Sequence, residues 1–585
     1  MNPEFMWDVS HIFPDEQAWE TAFQASEKAI PSLEAPAGTL GESAEGLKAA
    51  LDLLFEKDEV MTRVYIYAML NKAADGSDSK AQAMMARALS LASRFSAATA
   101  YVTPELLAIQ PEKLEQFFAT GLLDSYRHYI EDITRARKHT LDAKGEKMLA
   151  MLAEPRSMGK GTFDALTNVD LEFPKIHDEN GSEVQLTSGN FSVFRESTVR
   201  AVREEAFQTY FNTFKGYTNT LGELYSGSVK FDCYLSNVRG HESAAHAAMF
   251  TDNAPIEVYD SLIEGVHRYL PAMQKYLRLR KKVMKLEKLD LFDLYVPMVS
   301  QVDYPMPYEE AKDLIKKALL PLGPRYQELL DQAFNNKWID VYENKGKQSG
   351  AFSCGVYGVH PYIKLNYTDT LDDAFTLAHE LGHAMHSYLS NEKQDFANHS
   401  YRIMVAEVAS TCNEVLLTRY LLEKETDPLR RAYVLNHFLE GFRTTVFRQT
   451  LFAEFERKAH DMYQSGTALT SQSLCDTYGA LLKLYYSEAE IPEIMHYEWS
   501  YIPHFYNAFY VYKYATGFSS AVAIANRILE TKDPSSYLDF LAMGGSDYPV
   551  NELRTAGVDL CDPSTVSSAL AVFESTIDEL EQLLG

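Results

Sequence analysis

The sequence is poor in cysteine, poor in positive charge and without any long apolar run. Its five cysteines, Cys233, Cys354, Cys412, Cys475 and Cys561, are odd in number, widely spaced and form no C-x-x-C pair. That is the pattern of free thiols in a reducing compartment, not of a disulfide framework. Lys and Arg total 55 against 82 Asp and Glu, a formal charge of −27. This sign repels phosphate backbones and anionic lipid surfaces, so neither nucleic acid nor a membrane is an expected partner. No stretch approaches the roughly 18 uninterrupted apolar residues of a membrane span. The opening "MNPEFMWDVSHIFPDEQAW" has no basic segment, apolar segment or small-residue cleavage site, and the expected location is the cytoplasm. "MNPEF", residues 1–5, reads as a cloning scar ahead of Met6.

What the chain does have is length and helical periodicity. With 585 residues, 46% of them hydrophobic, it exceeds the usual size of one compact domain, and two or more lobes are expected. In "SKAQAMMARALSLASRFSAATAYVTPELLAI" apolar and alanine positions recur every three to four residues. Similar patterns cover 43–71, 112–152, 198–237 and 255–283, so the first half is read as helical. Strand-like alternation is confined to 183–188 and to "GVYGVHPYIKLNYTD" at 355–369, which predicts a small sheet. Turn-rich passages near 109–111 and 173–190 divide the chain into an N-terminal helical region, 6–110, a helical lobe, 111–190, and a third region, 191–585.

The chemistry concentrates in "AHELGHAMH", 378–386. On a helix His379 and His383 stand one turn apart on one face, so both imidazoles can reach one ion. Glu380 sits one step round, where its carboxylate can reach a water on that ion without being a ligand. With 16 histidines in 585 residues the pattern arises by chance in roughly a few per cent of chains, so context has to support it. His386 lies about two turns, roughly 10 Å, beyond His379, too far to share the ion, and reads as a lining residue. A catalytic zinc takes three protein ligands and leaves one position open. The third histidine of the longer H-E-x-x-H-x-x-G-x-x-H pattern is absent, since His386 stands where glycine is needed and Leu389 where histidine is needed. The third ligand is therefore sought on the next helical stretch, "NHSYRIMVAEVASTCNEVLLTRYLLEKE". Glu407, flanked by Ala406, Ala409 and Ser410, is chosen, because small neighbours let that helix approach closely. Glu414, seven residues on, is either an acceptor for a ligand imidazole N–H or a solvated helix glutamate.

Taken together, "AHELGHAMHSYLS", "AEVASTCNE", "GAFSCGVYGVHPYIKLNY", "TVFRQTLFAEFE", "IPHFYNAFYVYKYATG", "WDVSHIFPDEQAW" and "RGHESAAHAAMFTDNAP" resemble the oligoendopeptidase F branch of the thimet-oligopeptidase-like zinc metallopeptidases. The resemblance implies a mainly α, two-lobed helical metallopeptidase with a deep central channel and a small β-sheet beside the H-E-x-x-H helix, with 191–585 as the catalytic domain. It implies one Zn2+ per chain on His379, His383 and Glu407, with Glu380 as the base. It also implies an edge strand in "GVYGVHPYIKLNY", with Gly355, Tyr357 and Gly358 on the substrate; the alternative is a plain structural hairpin. His504 and the tyrosines after it should face the zinc, Tyr512 first and Tyr510 next, with Tyr506 on the substrate. The expected activity is cleavage of internal bonds in short unfolded peptides by a monomer. The alternatives are a zinc carboxypeptidase of similar helical fold and a non-catalytic peptide-binding protein.

Overall fold

The computed structural model describes residues 3–299 and 304–584. Of the five residues read as a cloning scar, Met1 and Asn2 lie outside the described residues, while Phe5 sets its ring against Tyr308 and Tyr342. The described residues are mainly helical, with two small sheets. In the smaller, β1 (Lys175–His177) pairs antiparallel with β2 (Glu183–Gln185). The larger is built from β3 (Ile339–Tyr342), β4 (Phe352–Cys354) and β5 (Tyr362–Tyr367) in the order β3-β5-β4, with β3 parallel and β4 antiparallel to β5.

The chain forms two compact units, each assembled from separated stretches. The first combines the residues up to Lys138 with Tyr304–Tyr420 and Ile524–Val558; the second takes the rest. Of the boundaries read from turn-rich passages, 110/111 lies inside the first unit and 190/191 inside the second.

In the first unit α1 (Glu16–Glu34), α2 (Ala44–Ala74) and α3 (Ser79–Thr99) pack around Trp19, Phe23, Val64, Met85 and Leu91. The Trp19 indole N–H reaches the Val64 carbonyl, 2.9 Å. Side chains of Asp15, Ser43 and Asp78 cap the three N-termini by accepting otherwise orphaned backbone N–H groups. A further cluster, Trp7, Ile66, Leu70, Val356 and Tyr362, fastens α2 to the sheet. α4 (Leu371–Lys393) leaves β5 through a reciprocal cap: Thr370 Oγ1 accepts from Asp373 N, 3.2 Å, and Asp373 Oδ2 accepts from Thr370 N, 3.0 Å. α5 (Ile403–Lys424) and α6 (Ser535–Met543) pack beside it.

Two sequence expectations need correction. The helix read over 112–152 is broken into Pro111–Phe118, Arg127–Thr134 and Ala143–Met151, because polar turns interrupt it and Asp142 caps a fresh start. The strand read over 355–369 is β5 alone, and β5 is the middle strand, almost wholly buried, not an edge. Residues 355–361 form the connecting loop, and the two edges of the sheet are β3 and β4.

Candidate metal centre and active site

α4 brings its two histidines to one point because their spacing is one helical turn. His379 Nε2 and His383 Nε2 are 3.2 Å apart, and Glu407 Oε2, from α5, stands 3.4 Å from the first and 3.6 Å from the second. Two ligands about 2.1 Å from one ion at tetrahedral angles are about 3.4 Å from each other, so this triangle fits a metal of zinc's size and donor preference. Among the described residues it is the one cluster of three or more His, Cys, Asp or Glu with metal-binding spacing.

The two helices meet closely enough for this because Gly382 faces α5. A Cβ there would stand 2.5 Å from Ser410 Cα and 2.6 Å from the Ala409 carbonyl oxygen. Ser410 Oγ in turn donates to Glu407 Oε2, 3.2 Å. Asn413, fully buried, ties the same two helices: its Nδ2 donates to the Ala378 carbonyl, 3.0 Å, and its Oδ1 accepts from Tyr326, 2.9 Å.

The tautomers follow from the partners. His379 Nδ1 donates to the Glu414 carboxylate, which leaves Nε2 for the ion. Burial would lower the His379 pKa, but the Glu414 hydrogen bond and the charges of Glu414, Glu380 and Glu407 outweigh it and raise it to about 9. His383, hydrogen-bonded to the Ala406 backbone, is pushed down by burial and by His379. Glu380 is buried, 7% exposed, and its Oε2 has no partner. Burial is the main reason its pKa rises to about 7; Glu407 and Glu414 add to the rise, while His379 and Lys364 oppose it. His386 is no part of the triangle. Its ring stacks on Tyr401 at 3.7 Å, and full burial lowers its pKa to about 3.

Gly355 lies where β4 meets α4, and a Cβ there would come within 2.7 Å of Ser387 Cβ. Gly358 adopts a left-handed φ of 73°, and the Arg63 guanidinium occupies the space a side chain would need. Arg63 Nε donates to the Tyr357 carbonyl, 3.1 Å, and the Tyr357 hydroxyl donates to the Gln394 carbonyl, 2.9 Å.

The aromatic segment belongs to the second unit. His504 is exposed on a short turn, Pro503–Tyr506. Its ring lies parallel to Tyr510 at 6.3 Å and edge-on to Tyr514 at 6.2 Å, and the hydroxyls of Tyr514 and Tyr510 are 3.4 Å apart. Tyr506 packs on Phe163 at 4.7 Å. Tyr512, first among the tyrosines by sequence, is 1% exposed, with its ring 5.2 Å from Tyr259 and its hydroxyl buried without a partner. Sequence reasoning did not single out Tyr514, Asn413 or Lys364. A lysine inside the apolar run "YIKLNY" was a signal for the last.

The sequence profile of peptidase family M3 matches residues 193–572, and the profile described as Oligopeptidase F matches 105–173. The chain belongs to peptidase family M3. As an M3 metalloendopeptidase it has relatives along its whole length. Oligopeptidase PepF of Bacillus subtilis is 43% identical, with 99% of this chain and 87% of that one aligned. Among solved structures, a peptidase from Chlamydophila abortus superposes with a TM-score of 0.95 at 32% identity, covering 100% of this chain and 99% of that one. Oligoendopeptidase-F from Enterococcus faecium superposes with a TM-score of 0.74 at 36% identity, covering 97% and 99%. Membership in M3 implies a metal, and the His379, His383 and Glu407 triangle has the donors and spacing to hold one. Among the described residues no helix is long and apolar enough to cross a membrane.

Proposed function

We propose that the protein cuts internal peptide bonds of short, unfolded peptides, using one Zn2+ held by His379, His383 and Glu407 and a proton carried by Glu380. The observation that carries this reading is the ligand triangle of 3.2 to 3.6 Å with a buried, unpartnered carboxylate oxygen on the adjacent residue. When bound, the zinc supplies Lewis acidity that lowers the pKa of water and polarises a peptide carbonyl.

The chain's own residues then divide the remaining work. Glu380 Oε2 takes the proton of the attacking water, and a carboxyl whose pKa lies near neutrality can hand it on to the leaving amine. Glu414 keeps the His379 ring fixed through Nδ1. The hydroxyl of Tyr510 and the ring N–H of His504 donate to the oxygen on which negative charge develops. Tyr510 is preferred to Tyr512 because the Tyr512 hydroxyl is buried beside Tyr259. Gly355, Tyr357, Gly358 and Tyr506 are assigned to the peptide itself, in an enclosed channel that excludes folded proteins, as the family likeness suggests.

The test is cleavage of a quenched fluorescent peptide blocked at both ends by wild type and Glu380→Gln, with zinc measured in both. Cleavage by wild type and silence of a variant that still holds about one zinc is the expected result. No cleavage of the blocked peptide by a zinc-loaded wild type that trims free-ended peptides would replace this reading with a carboxypeptidase; no cleavage of either would leave a peptide-binding protein.

A further inference from the structure

Lys364, in the middle strand β5, is fully buried. It forms no ion pair among the described residues; the charges of Asp340, its in-register neighbour on β3, and of Glu380 favour its charged form from farther off, and that of Lys347 opposes it. Its ammonium donates instead to three successive backbone carbonyls, those of Gln348 at 2.5 Å, Ser349 at 2.8 Å and Gly350 at 2.9 Å. An ammonium has three N–H bonds and no acceptor, so these carbonyls use its whole donor capacity. Asn366 lies two residues along the strand and therefore on the same face. Its Nδ2 donates to the carbonyls of Gln348, 3.0 Å, and Gly350, 2.8 Å, so the first and third carbonyls are held twice. From the other side Gln348 N donates to the Ala73 carbonyl in α2, 2.9 Å.

This turn leads directly into the edge strand. β4 starts at Phe352, which pairs in register with Lys364 itself, and the ammonium lies 5.3 Å from the Phe352 ring centroid. At its far end β4 runs into Gly355, packed against Ser387 on α4, one helical turn beyond His383. Burying a cation with no carboxylate in direct contact is costly, and an apolar side chain would fill a middle-strand position without that cost. What the ammonium adds is direction: it turns three consecutive carbonyls toward one point and fixes where β4 begins.

Building on the peptidase reading above, we propose that Lys364 is a positioning residue for substrate: its ammonium holds the 348–350 turn, and so the edge strand β4, in the place where an extended peptide pairs beside the metal-binding helix. The main chain of a peptide is recognised by the free backbone groups of such an edge, so a displaced edge weakens binding of the peptide. Loss of the ammonium also removes a charge that opposes the rise of the Glu380 pKa, which moves the pH dependence of turnover and not its plateau.

The experiment uses the full-length, zinc-loaded protein with Lys364→Ala. Two blocked substrates are compared, one long enough to span the strand and one with a single residue on each side of the cut. KM for the long substrate is expected to rise about tenfold or more, the equivalent of one hydrogen bond to a charged group, while kcat at its pH plateau and zinc content stay close to wild type. KM for the short substrate should not move. Ammonium chloride should restore the long-substrate KM by refilling the carbonyl site, and tetramethylammonium at equal ionic strength, which has no N–H, should not. Equal KM changes for both substrates, a fall in kcat at constant KM, or no rescue by ammonium would overturn the inference. If Lys364→Ala does not fold, Asn366→Ala removes the second hold on the same carbonyls and should raise the long-substrate KM to a smaller extent; an unchanged KM there is equally fatal. A wild type that cleaves neither substrate defeats the peptidase reading and this inference with it, whereas an active wild type with an unaltered Lys364→Ala defeats the inference alone.

Discussion

At His379 the two ring nitrogens have different obligations. Nδ1 is committed to Glu414, so Nε2 is the atom turned toward Glu407 and His383. Removing that acceptor with Glu414→Ala should weaken metal binding by about 10- to 100-fold, read by competition with a chelator, with the fold intact. Glu380 has the opposite character, a carboxylate oxygen left without a partner in a buried place. Glu380→Gln should retain zinc and lose activity by more than the roughly 10²- to 10³-fold expected for His504→Ala, the loss of one proposed donor to the developing oxyanion. A turnover for Glu380→Gln above that of His504→Ala would reverse the assigned roles. The sequence pointed to His379, Glu380, His383 and Glu407 because their placement depends on helical spacing and on small flanking residues. It ranked Tyr512 ahead of Tyr510, whereas a helix start and a preceding turn, which local pattern does not reveal, set Tyr510 beside His504 and turn Tyr512 into the core.

Contact between elements sets the metal triangle as much as the ligands do. α4 and α5 touch through Gly382, with no room for a methyl group between Gly382 and the backbone of Ala409 and Ser410. Gly382→Ala should force the helices apart, with a stability loss of about 1 to 3 kcal/mol by denaturant titration and a weaker hold on zinc. Unchanged affinity and stability would mean that the neighbouring backbone yields without cost. In the helix Pro549–Thr555, Glu552 is 2% exposed with Oε1 unpartnered. Burial, reinforced by Asp547 and opposed by Arg402, raises its pKa to about 8. An acid whose folded pKa lies above its unfolded value binds the extra proton in the folded state, so its ionisation costs stability progressively as pH rises from about 4.5 to about 8. Glu552→Gln should therefore melt close to wild type near pH 4.5 and progressively higher than wild type toward pH 8 and above. Thermal scans across that range check the sign, and a constant difference would remove Glu552 as the cause.

For the whole molecule, the proposed ligands and their supports fall within one compact unit, and the His504 cluster within the other. Chelation should thus lower protection from hydrogen exchange in α4 and α5 while leaving the helix Arg448–Gln464 of the second unit unchanged, since a ligand stabilises only the structure that binds it. Equal loss of protection in both would show that the units unfold as one. The sequence by itself determined the helical class and pointed to the cluster of His379, His383 and Glu407 with Glu380 beside it, because periodicity, i to i+4 spacing and side-chain size are local properties. It also carried the family likeness in motifs spread along nearly the whole chain. Only the tertiary structure decided that β5 is a middle strand and β4 an edge strand, that stretches far apart in sequence make up each unit, and that a buried lysine faces three backbone carbonyls. Those depend on which segments meet across long separations in the chain, where burial and hydrogen-bond pairing, not local pattern, select the partner.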